Sequence, residues 1–251
     1  MKILNLILYS LNDEIYLSMY HTLSSYLKKQ NIKDFTYFFY CYDDISTDVE
    51  IKDDIILLRG KEKVKWGTIA KTMKVLQFVE NWDYDLIVRT NISTIIDWEN
   101  FLPLLNRLNT NEIIYGAGYV FLWEEDEYKI TFGAGTSIVL SRPTINLLVR
   151  STLNERFFDD VSIGLFLYPK YVKEIINFKD YYAFNSEYSD KILIFRNKSD
   201  DRGEDAERMK RICERIIERE EFIFQKSYHN QIKKLFNHKL KSFPRLKNFE
   251  N

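Results

Sequence analysis

The sequence has only two cysteines in 251 residues, Cys41 and Cys213, too few for a disulfide framework and in no zinc-binding spacing. That usage suits a reducing compartment. Histidine is equally scarce: His21, His229 and His238 are scattered, and no H-E-x-x-H, G-x-G-x-x-G, Walker A or G-x-S-x-G occurs. Zinc-hydrolase, nicotinamide and ATP-hydrolysis chemistries lose their usual sequence support. Charge of one sign is also lacking, since 36 Lys+Arg stand against 37 Asp+Glu for a net charge of -1. The broad positive field behind non-specific nucleic-acid binding is missing, and no nucleic-acid partner is expected. Long apolar runs are absent. Ile3 to Leu8 follows a single Lys2, has no small-residue cleavage site and is too short to cross a bilayer, so it reads as a strand. No export signal and no membrane span are expected, which implies a cytoplasmic location. Alanine is rare, five residues against 28 isoleucines and 18 asparagines, a bias that A/T-rich codons produce.

What is present describes a globular chain, with 45% hydrophobic and 16% aromatic residues. Residues 3–9 are mostly aliphatic, as in a strand buried on both faces, which implies a parallel central sheet. Asn12-Asp13-Glu14 opens a helix to about Lys29, with early acids and late lysines matching the helix dipole. Strands follow at 35–42, 55–58 and 86–88, with a helix at 68–79 between the last two. A short helix is expected at 97–108, strands at 113–123 and 130–140, a helix from Pro143, and another over 205–218. Alternating strands and helices point to a doubly wound α/β sheet, whose ligands bind at the carboxyl ends of the strands. That rule selects Ser10, Asp43, Asp44 and Arg89 to Ser93. With no internal repeat and no Pro/Gly/Ser-rich linker, the organisation reads as one domain, 1–222, with a C-terminal extension, 223–251.

Four stretches carry a more specific signal: Lys71-Thr72, Tyr84 to Ser93, Gly133 to Arg142 and Asp159-Asp160-Val161-Ser162-Ile163-Gly164. In order and spacing they resemble the β-1,3-galactosyltransferase-like and related viral or bacterial sugar transferases of the GT-A fold. In that family a lysine helix precedes a strand reading K-T-D-D-D, a G-G-Y-V-L-S strand follows, and an E-D-V-x-x-G segment supplies the base. The resemblance covers about residues 66–164. It implies an α/β, GT-A-like (Rossmann-like) mixed central sheet flanked by helices, and an inverting glycosyltransferase. The donor would be a UDP-, GDP- or TDP-linked sugar and the acceptor a glycan, lipid-linked or protein-linked hydroxyl. It also places Asp160 as the catalytic base, with Asp159 in support.

The chain departs from this pattern where the family has acids that hold Mg²⁺ or Mn²⁺, because it has Asn91-Ile92-Ser93 there. Neutral amide and hydroxyl oxygens are poor ligands for those ions, so metal dependence is not expected to follow the family. Lys71, Arg89, Arg196, Lys198 and Arg202 are the cations available to a diphosphate, with Thr90, Asn91 and Ser93 as neutral donor-binding groups. Arg89 could equally pair with Asp85 or Asp97, and 196–202 could be a solvated loop. Adjacent acids at 159 and 160 are also what a helix cap uses. Gly133 and Gly135 allow close approach of a sugar, and Thr136 and Ser137 offer hydroxyls to an acceptor; a tight strand entry would use the same residues. Asp43 and Asp44 suit the base or ribose of the donor, or a plain turn. Among the aromatics Trp66, Trp123 and the Tyr115/Tyr119 pair could stack on sugars; Trp123 is selected because it adjoins the acidic Glu124 to Glu127 connection.

The tail differs in character. Between Phe222 and Phe249 there are seven Lys/Arg and no acid, with Ile232, Leu235, Phe236, Leu240 and Phe243 at helical spacing. Such a helix could dock its apolar stripe on the domain, or make a peripheral contact with an anionic membrane. Without its metal acids, the chain could also be a non-catalytic nucleotide-sugar or glycan-binding scaffold.

Overall fold

The computed structural model describes residues 1–11, 13–30, 32–62, 67–125 and 128–242, with backbone alone at 125, 128, 224, 225 and 227–242. Contacts divide the chain into two compact units, Met1–Cys213 and the part from Glu214 onward.

The first unit opens on β1 (Ile3–Leu8), which is buried from Ile3 to Ile7 because aliphatic side chains leave it on both faces. In α1 (Glu14–Lys29) the Asp13 carboxylate accepts the Ile15 N–H at 2.8 Å, and Lys28 and Lys29 sit in the last turn. Asn12, expected to open this helix, lies outside the described residues. The chain continues through β2 (Phe35–Asp43), β3 (Val49–Lys52), β4 (Ile55–Arg59), α2 (Thr68–Val79), β5 (Leu86–Asn91), β6 (Thr94–Ile96) and α3 (Trp98–Leu105). Next come β7 (Tyr115–Ala117), β8 (Val120–Glu125), β9 (Tyr128–Gly133), β10 (Ser137–Ser141), α4 (Arg142–Val149) and α5 (Asp159–Leu167). Short strands β11 (Ile176–Asn177), β12 (Tyr182–Phe184) and β13 (Ile194–Arg196) precede α6 (Arg202–Ser242), which supplies the described part of the second unit.

The main sheet runs β11-β7-β10-β5-β1-β2-β4-β3. β5, β1, β2 and β4 are parallel neighbours, whereas β10 is antiparallel to β5 and β7, and β3 is antiparallel to β4. The sheet is therefore mixed, as the GT-A-like resemblance implies, and not the wholly parallel one read from β1 alone. Leu6, Tyr40, Ile56, Leu58, Ile87, Ile138 and Leu140 pack with Val75, Leu76 and Val79 of α2 and Ile163 and Leu167 of α5 in one core. Each aliphatic side chain fully buried there contributes about 1.5–3 kcal/mol.

Two expected strands are each divided. The 113–123 stretch leaves the main sheet after Ala117, where Gly118 lies so close to Ser137 that a Cβ would stand 2.4 Å from its Oγ. The Gly118 N–H donates to that oxygen at 3.0 Å. β8 and β9 then pair as a separate hairpin, and the chain rejoins the sheet at β10. A third, small sheet, β12-β13-β6, sets Arg196 opposite Thr94 and bonds the Asn197 N–H to the Ser93 carbonyl at 2.9 Å. This last pairing brings two segments a hundred residues apart to one place.

Candidate active site

The carboxyl ends of β1 and β5, the turn between β9 and β10, the first turn of α5 and the segment from β13 to α6 surround a cavity of about 520 Å³. Of the residues selected from sequence, Ser10, Arg89, Asn91, Ser93, Gly135, Asp159, Asp160, Arg196, Lys198 and Arg202 line it. Its position is the one expected of a ligand crevice in such a sheet.

One wall is a buried polar network. Arg89, 1% exposed, pairs with Asp159 at 2.5 Å and donates to the Gly135 carbonyl, and its Nε donates to the Tyr40 hydroxyl at 3.3 Å. The pairing is with neither Asp85 nor Asp97. Burial works against the guanidinium charge, but Asp159, the Tyr40 hydroxyl and Asp160 together outweigh it and hold Arg89 above its ordinary range. Asp159 also accepts the Thr72 hydroxyl at 2.8 Å, and its own N–H donates to Thr68 Oγ1 at 3.3 Å. The residue before α5 is Phe158, so both acids occupy the helix's first turn and neither is its cap.

Asp160 faces the cavity. Its Oδ2 accepts the Gly135 N–H and its Oδ1 the Val161 N–H, both at 2.9 Å. Burial and then the neighbouring Asp159 raise its pKa above the ordinary 3.8, against Arg89 and the two amides. Gly135 is required by this geometry, since a Cβ there would stand 2.8 Å from Arg89 Nη1 and 3.0 Å from Asp160 Oδ2.

The other wall is cationic. Arg196 is 8% exposed and donates to Ser93 Oγ, yet pairs with no carboxylate among the described residues. Burial, and then Arg202, pull its pKa down to about 10. Lys198 is exposed beside it. Arg202 is partly neutralised by the fully buried Asp205, which also accepts the Ser199 N–H and hydroxyl and pairs with Arg208. Asp205 thereby anchors 199–202, which is not a free solvated loop.

The remaining selected residues lie outside the cavity lining. Lys71 is buried against Glu62 at 2.7 Å and donates to the Tyr9 carbonyl at 2.9 Å, so its charge is already matched. Thr90 alternates to the other face of β5, where Asn5 donates to its hydroxyl at 3.3 Å. Asp43 ends β2 and Asp44 follows it, its N–H donating to the Asp43 carboxylate. The Gly133 N–H donates to the buried Tyr115 hydroxyl at 2.7 Å, Thr136 is buried, and Ser137 holds Gly118. Trp123 is exposed on the β8–β9 hairpin, and Tyr119 stacks edge-on against Phe121 there. Trp66, Asp126 and Glu127 lie outside the described residues. Sequence reasoning missed Tyr9, Tyr16, Thr68, Phe158 and Ser199 in the lining, and Glu62, Thr72 and Asp205 as anchors. Only Thr72 carried a signal, through its place beside Lys71.

The metal position can be tested against these side chains. Ser93 Oγ, a would-be ligand, already receives the Arg196 guanidinium, and Asn91 offers only a neutral amide. A divalent cation placed there would meet a positive charge at hydrogen-bonding range. Among the described residues no group of three or more His, Cys, Asp or Glu could hold an ion. These residues do not fit a divalent metal.

No family profile matches the sequence, and no curated protein matches it. Among solved structures, a glycosyltransferase involved in the glycosylation of the major capsid of PBCV-1 aligns over 84% of this chain and 99% of its own. The TM-score is 0.53 and the identity 12%. The two share a fold. That agreement covers the mixed α/β architecture and does not extend to the narrower β-1,3-galactosyltransferase resemblance. No helix among the described residues is long and apolar enough to cross a membrane.

Proposed function

We propose that this chain is an inverting glycosyltransferase that moves a hexosyl or deoxyhexosyl group from a nucleoside diphosphate sugar to a hydroxyl of a glycan, lipid-linked or protein-linked acceptor. The observation that carries the reading is the polarity of the cavity: a half-buried carboxylate, Asp160, on one wall and a buried guanidinium without an acid partner among the described residues, Arg196, on the other. The shared fold supports the same class.

In this reading Asp160 takes the proton from the acceptor hydroxyl as that oxygen attacks the anomeric carbon. The bond from the anomeric carbon to the β-phosphate oxygen breaks, and the nucleoside diphosphate leaves with the electron pair. One carboxylate and one displacement give inversion. Asp159 does not reach this step directly; its bonds to Arg89 and Thr72 hold the first turn of α5 in place. The test is transfer from a panel of UDP-, GDP- and TDP-sugars with the anomeric configuration of the product read by NMR. Inverted product supports the reading; retained configuration removes Asp160 as a lone base.

One observation favours a second reading, a nucleotide-sugar-binding scaffold without turnover. Both Asp160 oxygens accept backbone N–H groups, an arrangement that also serves simply to clamp the β9–β10 turn to α5. Saturable binding of a nucleotide sugar with no product from any acceptor would establish the scaffold.

A further inference from the structure

Five cations were available to a diphosphate from sequence, and the structure reduces them by charge balance. Lys71 is matched by Glu62 and Arg89 by Asp159, both in buried pairs. Arg202 shares Asp205 with Arg208. Arg196 has no acid partner among the described residues although it is almost wholly buried, and the Lys198 side chain has none either.

A buried guanidinium without a counter-charge is an expensive arrangement unless an anion completes it. Here the completing group must come from the cavity, which Arg196, Lys198 and Arg202 all line. α6 begins at Arg202 on that same wall, so the positive end of its dipole adds to the local field.

Resting on the donor class proposed above, we infer that Arg196 and Lys198, with Arg202 beside them, grip the diphosphate of the donor directly and take the place of a divalent metal ion. Arg196 is held for this by Ser93, whose hydroxyl accepts one of its N–H groups and leaves the rest of the fork for phosphate oxygens. Asp205 acts as a positioning residue that fixes 199–202 and orients Arg202.

The experiment is calorimetric titration of the full-length chain with inorganic pyrophosphate in EDTA, and again in excess Mg²⁺ or Mn²⁺. Pyrophosphate binds in EDTA, and Arg196→Gln weakens it at least about tenfold, as expected for loss of a charge-assisted contact. Circular dichroism and thermal melting monitor folding of the variant. Should Arg196→Gln fail to fold, the exposed Lys198→Gln decides, with an expected loss of about threefold or more. Binding only when the metal is added, or variants that bind as tightly as the parent chain, overturns the inference. Pyrophosphate binding in EDTA without turnover of any nucleotide sugar leaves this site standing and removes the transferase. Turnover combined with metal-dependent binding does the reverse.

Discussion

Asp160 is placed so that two demands on it conflict. Burial and Asp159 disfavour its ionised form, whereas the Gly135 and Val161 amides favour it, and the net direction is upward from 3.8. A base must be ionised, so the acid limb of the pH profile for kcat/KM should lie above 3.8 and activity should rise with pH through it. The stability sign is the opposite. An acid whose folded-state pKa is raised holds its proton longer in the native state, so this group's contribution to stability falls as pH rises from 3.8 through the raised value. Initial rates across the acid range check the first, and thermal melting of Asp160→Asn against the parent chain checks the second. That substitution also has a structural consequence. An Asn amide can accept from only one of the two N–H groups, leaving the other facing an NH₂. The expected loss is about 1–3 kcal/mol, or a fall in Tm of about 2–12 °C, readable by calorimetry. A variant with unchanged Tm would show that the two amides do not depend on this carboxylate.

At the scale of elements, the site depends on β5, the β9–β10 turn and α5 meeting around Arg89. Asp159→Ala leaves that guanidinium buried and unmatched, with an expected loss of about 3–5 kcal/mol by denaturant titration. A loss under about 1 kcal/mol would mean the pair is solvated. Gly135→Ala puts a Cβ against Arg89 and Asp160, so that their bonds to the β9–β10 turn must shift, and should destabilise by about 1–3 kcal/mol while reducing turnover. Much of this framework was legible beforehand. The aliphatic run of β1 and the helical spacing of α2 come from local periodicity, and the 68–79 helix stands at those bounds. Asp160 was placed by the family resemblance, and Arg196 was one of five cations available to a diphosphate. The partners could not be named, because Arg89 with Asp159 spans 70 positions and Ser93 with Arg196 spans 103, and no local pattern encodes such pairings. The division of 113–123 and 130–140 was likewise hidden, since the approach of Gly118 to Ser137 that accompanies it is a tertiary contact.

For the whole molecule, the mixed α/β architecture agrees with the fold of the capsid glycosyltransferase, while the sequence by itself is 12% identical to it. One fold is compatible with so little identity because the core requires apolar volume in the right period, which many residue combinations satisfy. The basic amphipathic tail reading rests on Ile232, Leu235, Phe236 and Leu240, whose side chains are not described, and on Phe243, which lies outside the described residues. Its peripheral membrane contact stays a proposal. The proposed chemistry belongs to the cavity in the first unit, and one measurement tests it directly. Steady-state sugar transfer is followed for the parent chain and Asp160→Asn, beside the Kd of each for the same nucleotide sugar. The expected result is near-complete loss of turnover in the variant with donor affinity unchanged. Equal turnover in the two chains, or donor binding with no transfer by either, would contradict a transferase that uses Asp160 as its base.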